Sequence, residues 1–77
     1  MDDDEALLRM WTIYDHPLDD PLHYVARMWF VSAAGAVPTD RVKRSPNLDV
    51  LREMLPSGLM RMMRDPADHP SVVEVWM

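Results

Sequence analysis

Histidine and aspartate side chains gather in two short segments of this sequence, and each segment contains the tripeptide Asp-His-Pro. Such side chains offer the oxygen and nitrogen donors that bind divalent metals. The candidates are Asp15, His16, Asp19, Asp20 and His23 in the first segment and Asp65, Asp68 and His69 in the second. They would form a site only if the two segments lay side by side, and no His-x-x-x-His spacing supports one. Because loop aspartates also cap turns, we expect no bound metal and no cofactor.

Nucleophilic hydroxyl groups are scattered along the chain rather than set in a catalytic frame. The candidates are Thr12, Ser32, Thr39, Ser45, Ser57 and Ser71. None lies in a Gly-x-Ser-x-Gly sequence, and no glycine-rich phosphate loop is present. A chain of 77 residues also has little material for a closed ligand pocket. We therefore expect a protein that is not an enzyme, and a metal-binding protein or small enzyme stays as an alternative.

Acidic residues dominate the first twenty positions, which hold seven carboxylates and only Arg9 as a basic residue. The formal net charge of −5 argues against direct binding of nucleic acid, because gripping phosphates requires clustered Lys and Arg. It favours a protein partner with a basic surface. The candidate partner-binding residues are Asp2, Asp3, Asp4, Glu5, Asp15, Asp19 and Asp20. The alternative is that these acids only keep a small protein soluble.

Length and composition predict one folded domain over residues 1–77, in which residues 1–9 form an acidic segment that frays or makes a helical turn. The apolar fraction of 48% is that of a folded chain, and the absence of cysteine excludes disulfides. The longest apolar stretch, residues 24–37, contains Arg27 and is shorter than the roughly 20 residues that span a bilayer. The acidic start differs from a basic secretory signal. We therefore expect a cytoplasmic protein without membrane contact.

Local composition predicts the elements that must position these side chains. Aromatic and β-branched runs predict strands at residues 10–14, 23–31, 59–63 and 72–76, of which residues 23–31 would be central and covered on both faces. Ser45 and Pro46 resemble an N-cap and first helical position, so a helix is predicted at 46–54. Residues 32–44 are predicted to be a connecting loop. The expected fold is α+β, an antiparallel sheet of three or four strands with one helix, in the order β-β-α-β-β.

Two features of the predicted sheet concern its faces. One helix covers only one face of a sheet, so the methionine-rich strand at 59–63 would leave apolar surface that a homodimer or a partner covers. Arginines on sheet faces either pair across strands or contact a ligand, and we expect Arg27, Arg61 and Arg64 to pair with Glu74.

Four phrases of the sequence are similar to those of a family of small, uncharacterised bacterial and phage proteins. They are residues 11–17 (Trp-Thr-Ile-Tyr-Asp-His-Pro), 23–27 (His-Tyr-Val-Ala-Arg), 55–59 (Leu-Pro-Ser-Gly-Leu) and 72–76 (Val-Val-Glu-Val-Trp). The resemblance runs from Met10 onward and implies no activity and no catalytic residue. In size and acidity the chain is also similar to anti-CRISPR proteins, with which mobile elements block nucleic-acid-binding complexes.

These observations predict an acidic binding protein that occupies a basic surface of a larger complex. An anti-CRISPR-type inhibitor from a phage or mobile element would act in this way, by blocking nucleic-acid binding. The alternative is a self-associating or partner-binding bacterial protein of another role.

Overall fold

Five antiparallel strands and one helix make up the described part of the chain, residues 8–77, in a computed structural model. The elements are β1 (Leu8–Asp15), β2 (Tyr24–Ser32), β3 (Gly35–Ser45), α1 (Leu48–Met54), β4 (Arg61–Met62) and β5 (Val72–Trp76). The sheet has the order β3-β2-β1-β5-β4. An α+β fold with one antiparallel sheet and one helix is therefore confirmed. The expected three or four strands and the order β-β-α-β-β are wrong, because an additional strand follows β2.

The strands β1, β2 and β5 form where the aromatic and β-branched runs predict them. Each pairs with a neighbour along most of its length, and β1 pairs with β2 on one side and β5 on the other. The central strand is consequently β1, and the expectation that residues 23–31 are central is wrong. Leu8 and Arg9 belong to β1, where they lie opposite Val31 and Phe30, and not to a helical turn. The rest of the acidic N-terminal segment lies outside the described residues.

Strand β3 occupies most of the segment that we expected to be a loop. A two-residue turn at Ala33 and Ala34 leads into Gly35, whose φ of 125° is a conformation that side chains with a Cβ rarely adopt. Pro38 is tolerated because β3 is an edge strand. No neighbouring strand lies on its outer side, so a missing N–H there costs no hydrogen bond between strands. Most residues of β3 are exposed, and the strand lacks the apolar alternation that is typical of a buried strand. Composition alone therefore did not identify β3 as a strand.

Helix α1 begins two residues later than predicted. Its N-cap is Asn47, whose side-chain oxygen accepts a hydrogen bond from the Val50 N–H at 3.1 Å. Ser45 is instead the last residue of β3, and its hydroxyl accepts from the Asn47 N–H at 3.1 Å. Within residues 8–77, no helix has the length and apolar character needed to span a bilayer.

The predicted strand at residues 59–63 is present in shortened form as β4. Met60 and Met77 extend the pairing by exchanging backbone hydrogen bonds of 2.8 and 3.0 Å. The strands on either side of each Asp-His-Pro segment, β1 with β2 and β4 with β5, pair as antiparallel hairpins. Because β5 also joins β1, the two hairpins lie in one sheet.

The core lies between α1 and one face of the sheet. Leu51 of the helix is fully buried and packs with Trp11, Ile13, Ala26 and Met28 of the central strands. Cross-strand partners share a face, so the opposite, helix-free face carries the alternate residues of each strand. Apolar side chains on that face include Met10 opposite Trp29, and Met62 opposite Val75. One face of the sheet is therefore covered by the helix, while the other carries apolar residues that α1 does not cover.

Candidate binding site

Two loops meet at one end of the sheet, where β1 ends and β5 begins. The first loop is residues 16–23 and the second loop is residues 63–71. The backbone joins them directly, because the Asp15 N–H donates to the Ser71 carbonyl at 2.7 Å. Between them lies an open cleft of about 720 Å³, lined by residues 14–18 and 69–71, which we call the loop cleft. The two Asp-His-Pro tripeptides thus come together although 50 residues separate them in the chain.

The first loop is tied to the sheet through Asp20. One carboxylate oxygen of Asp20 lies 2.6 Å from His23 Nδ1, and the other accepts from Arg44 Nε of β3 at 2.8 Å. The hydrogen bond with His23 lowers the pKa of the Asp20 carboxyl below its ordinary value; burial opposes this shift, and Arg44 adds to it. The loop backbone closes a turn as well, since the Asp20 N–H donates to the Pro17 carbonyl at 2.9 Å. Asp20 therefore holds the loop in place.

His16 occupies an unusual backbone conformation at the start of the first loop. Its φ is 46°, in the left-handed region that residues other than glycine seldom adopt. Its ring contacts the edge of Tyr24 with centroids 4.7 Å apart, and its Nδ1 bonds to the Asp15 carboxylate. Residues held in such conformations cost about 1 kcal/mol or more and concentrate at binding and active sites.

The second loop is organised by one arginine. The guanidinium of Arg64 donates to three backbone carbonyls: Val72 at 2.9 Å, Asp68 at 3.0 Å and His69 at 3.2 Å. Asp65 adds a turn, because its carboxylate accepts from the Ala67 N–H at 2.8 Å. The second loop forms one wall of the loop cleft, and its backbone is held by these hydrogen bonds. Those donated by the Arg64 guanidinium are charge-assisted.

Convergence of the two loops does not assemble a metal centre. Over residues 8–77, no three His, Cys, Asp or Glu side chains are grouped closely enough to hold a metal ion. The described side chains instead bond to one another, as Asp20 does with His23, and His69 with the Ser71 hydroxyl at 2.8 Å. The arrangement offers apolar contact and negative charge rather than a coordination sphere.

The predicted partner-binding residues fall into three groups. Asp15 and Asp19 are exposed at the loop end of the sheet, and Asp15 lines the loop cleft. Asp20 lies beside them, with its side chain 20% exposed in the ion pair with Arg44. The other four, Asp2, Asp3, Asp4 and Glu5, lie outside the described residues.

A buried carboxylate that was expected only to pair with arginines of the sheet joins the helix to the sheet. Both oxygens of Glu74 accept from Arg52 of α1, at 2.8 and 2.6 Å, and one also accepts from Trp76 Nε1 at 3.0 Å. These bonds, that of Arg52 foremost, lower the pKa of Glu74 although burial opposes the shift. The hydrogen bond to Glu74 likewise raises the pKa of Arg52.

The expectation about the sheet arginines is confirmed for one of them. Arg61 Nη1 lies 3.5 Å from a Glu74 oxygen. Arg27 instead donates to the Thr39 carbonyl at 2.6 Å, within an irregular part of β3, and Arg64 holds the second loop. The expectation is wrong for these two, because edge strands and loops leave backbone carbonyls that guanidinium groups satisfy.

Sequence reasoning identified the loops but missed the cleft-lining residues Tyr14, Leu18 and Pro70. The signal that pointed to them was the repeated tripeptide, which we explained as turn chemistry. No local pattern shows that two turns will face each other, because this depends on the pairing of β1 with β5.

Comparison with known proteins finds no similarity: no family model matches the chain, and searches of the curated proteins and of the solved structures find no match. The resemblance to small bacterial and phage proteins stays a prediction, and function has to be argued from the site.

Proposed function

We propose that this protein is a non-enzymatic binding protein that occupies a basic surface of a larger assembly with the acidic loop end of its sheet. In the most specific form of the proposal, it acts in the cytoplasm as an anti-CRISPR-type inhibitor from a phage or mobile element. The assembly binds nucleic acid, and the carboxylates take the places of phosphates.

The unequal use of acidic and basic side chains carries this proposal. Five arginines donate to acceptors of the protein itself: Arg27, Arg44, Arg52, Arg61 and Arg64. By contrast, Asp15, Asp19 and Asp65 are exposed in or beside the two loops. Much of the positive charge thus serves the fold, while negative charge faces solvent at one end. A basic partner is attracted to that end, and polyanions are repelled.

The experiment identifies a partner by affinity capture and then measures binding kinetics with the purified partner. Replacing Asp15 and Asp19 together by Asn removes two exposed charges without touching the Asp20 ion pair. Because rim charges act mainly on encounter, association should slow while dissociation changes little. The effect should fade as salt rises, since charges are screened beyond about 8 Å at physiological ionic strength.

The matched control is Glu53→Gln, which removes an exposed charge from α1. It should leave the association rate within about twofold of the parent. An association rate at low salt that is equal in the parent and in the Asp15/Asp19 variant contradicts the proposal and leaves the acids as a solubility device.

The helix-free face of the sheet supports a second candidate function, self-association or binding of an apolar partner. Met60 is 71% and Met62 46% exposed, and the register places them on the same face as Met10 and Trp29. Contiguous apolar surface of this kind is typical of interaction sites.

Sedimentation velocity over a range of concentrations tests the second candidate. Met62→Glu should reduce a concentration-dependent increase in mass, because it puts a charge on the helix-free face. Met54→Glu is the control, since Met54 is similarly exposed, at 41%, but lies at the end of α1. A monomer of about 9.0 kDa at every concentration contradicts self-association.

A further inference from the structure

The loop cleft combines an apolar floor with an acidic rim. Tyr14, Pro17 and Pro70 supply flat apolar surface, and the side chain of Leu18 is fully exposed beside them. Pro rings and aromatic faces pack well against large apolar or aromatic side chains. A cleft with such a lining is suited to a side chain that a partner inserts, rather than to a phosphate or a sugar.

The cleft walls are held before any ligand arrives. Arg64 fixes the second loop through three carbonyls, and Asp20 fixes the first through His23 and Arg44. The left-handed backbone of His16 lies in the same wall. Preorganised walls lower the entropy lost on binding, so even a short partner segment gains affinity.

The charge around the cleft selects the kind of segment that enters. Asp15 lines the cleft, Asp19 is exposed beside it in the first loop, and the half-buried Asp68 precedes His69 in the second loop. Three basic side chains are nearby, but Arg44 is paired with Asp20, and Arg27 and Arg64 are bonded to backbone carbonyls. Carboxylates outnumber basic groups at this end, and they attract Lys and Arg.

A second groove continues from the cleft onto the helix-free face. It has a volume of about 340 Å³ and shares Tyr14 and His69 with the loop cleft. Its lining includes Met10, Trp29 and Val75. A segment seated in the cleft therefore has an apolar path along which an extended chain continues.

We propose that the loop cleft binds a basic linear segment of a partner protein, with one large apolar side chain inserted between the two loops and Lys or Arg residues beside it facing the aspartates. This inference rests on the proposed function and deepens it, because it names the part of the basic partner that the protein recognises.

Labelled synthetic peptides test the inference by fluorescence anisotropy on the full chain. The probe is Gly-Lys-Arg-Trp-Arg-Lys-Gly. One control replaces its Trp by Ala, and the other replaces each Lys and Arg by Glu. Truncating a buried anchor weakens binding by about tenfold, so the Ala peptide should bind that much more weakly, and the acidic peptide should not bind.

Paired protein variants locate the binding. Leu18→Ser removes apolar surface from the cleft and should lower the affinity for the Trp peptide by about threefold to tenfold. Leu22→Ser is the matched control, because Leu22 is an exposed leucine of the same loop, at 74%, outside the cleft lining, and it should have no effect. Amide shifts induced by the Trp peptide should concentrate at Tyr14, Leu18 and His69.

The outcomes separate this inference from the proposed function. Equal binding of the Trp and Ala peptides, with salt dependence retained, overturns the cleft and leaves an acidic contact surface. Absence of binding to either basic peptide overturns the cleft inference, whereas the proposed function is overturned by an unchanged association rate of the Asp15/Asp19 variant. Arg41 and Lys43 are basic residues of β3, through which a second copy of the chain could occupy the cleft. Amide shifts at these two residues that increase with protein concentration in the absence of peptide would identify a second copy as the occupant. This result also overturns the inference.

Discussion

Glu74 and Asp20 are each held by two basic side chains, and their roles differ because their burial differs. Glu74 is 6% exposed and joins α1 to the sheet through Arg52, with Arg61 at 3.5 Å. Asp20 is 20% exposed, bonds to His23 within the first loop and joins that loop to β3 through Arg44. The first carboxylate belongs to the packed layer between helix and sheet, whereas the second belongs to a loop at the surface.

Burial thus separates the acidic residues of the chain into two groups. A carboxylate under the helix contributes to global stability and is inaccessible to a partner. A carboxylate in a loop contributes little to global stability but determines the shape and charge of a surface. Sequence alone placed Asp20 among the contact residues and treated Glu74 only as a cross-strand partner.

The largest expected effect comes from Glu74→Ala. Removing the buried member of the ion pair leaves the Trp76 N–H without its acceptor and Arg52 with Asp49 alone, so the free energy of unfolding should fall by about 3 kcal/mol. Urea denaturation measures it. Glu53→Gln on the exposed side of α1 should stay within about 0.5 kcal/mol of the parent.

A second variant shows whether charge or packing dominates at Glu74. Replacing Glu74 by Leu together with Arg52 by Met removes both charges and should recover much of the loss, because apolar residues avoid the desolvation of a buried pair. A double variant that is less stable than Glu74→Ala would show that the pair itself is indispensable.

Stability at acid pH should distinguish the two carboxylates by where their contributions disappear. The pKa of each carboxyl is lowered in the folded protein. Each carboxylate therefore stabilises the fold fully above the ordinary pKa of its group, and this stabilisation is lost as pH falls through the pKa of the folded state. The loss begins below about 4.5 for Glu74 and below about 3.8 for Asp20. The thermal unfolding midpoint should decrease as pH falls below 4.5. Glu74→Gln should reduce this decrease more than Asp20→Asn does. Identical profiles for both variants would contradict this ranking.

Asp20→Asn should have a smaller effect on global stability and a larger one on the first loop. Without the carboxylate, the loop loses its ion pair with Arg44, so amide hydrogen exchange should accelerate at Asp20 and His23, whose N–H groups close turns of this loop. Asp19→Asn, one residue away, is the control and should leave exchange unchanged. Equal acceleration of amide exchange in both variants would contradict the proposal that Asp20 holds the first loop in place.

The smallest effect should come from Trp29→Phe. The indole N–H of Trp29 is buried without an acceptor among the described residues, whereas that of Trp76 donates to Glu74 at 3.0 Å. Removing an unsatisfied donor offsets the lost apolar contact, so stability should change by less than about 1 kcal/mol. Trp76→Phe should cost about 1 kcal/mol more, by urea denaturation. A larger loss at Trp29 than at Trp76 would contradict this assignment.

Local sequence was sufficient for elements whose residues repeat one preference. Val72–Trp76 is a strand with the predicted bounds, since β-branched and aromatic residues suit a pleated and partly buried surface. The two hairpin pairs and the single helix were also predictable. Strand β3 was not, because an edge strand with exposed polar residues obtains its structure from hydrogen bonds to β2.

An α+β fold, an acidic balance, two turns at Asp-His-Pro and an excess of apolar residues over what one helix covers were all predictable from the amino-acid sequence. The sequence could not show that the two turns face each other across a cleft, or that Asp20 is paired while the adjacent Asp19 is exposed. Such contacts join residues that are distant along the chain, since Arg44 is 24 residues from Asp20. Strand register brings such groups together, and it follows from the pairing of whole strands rather than from any neighbouring residue.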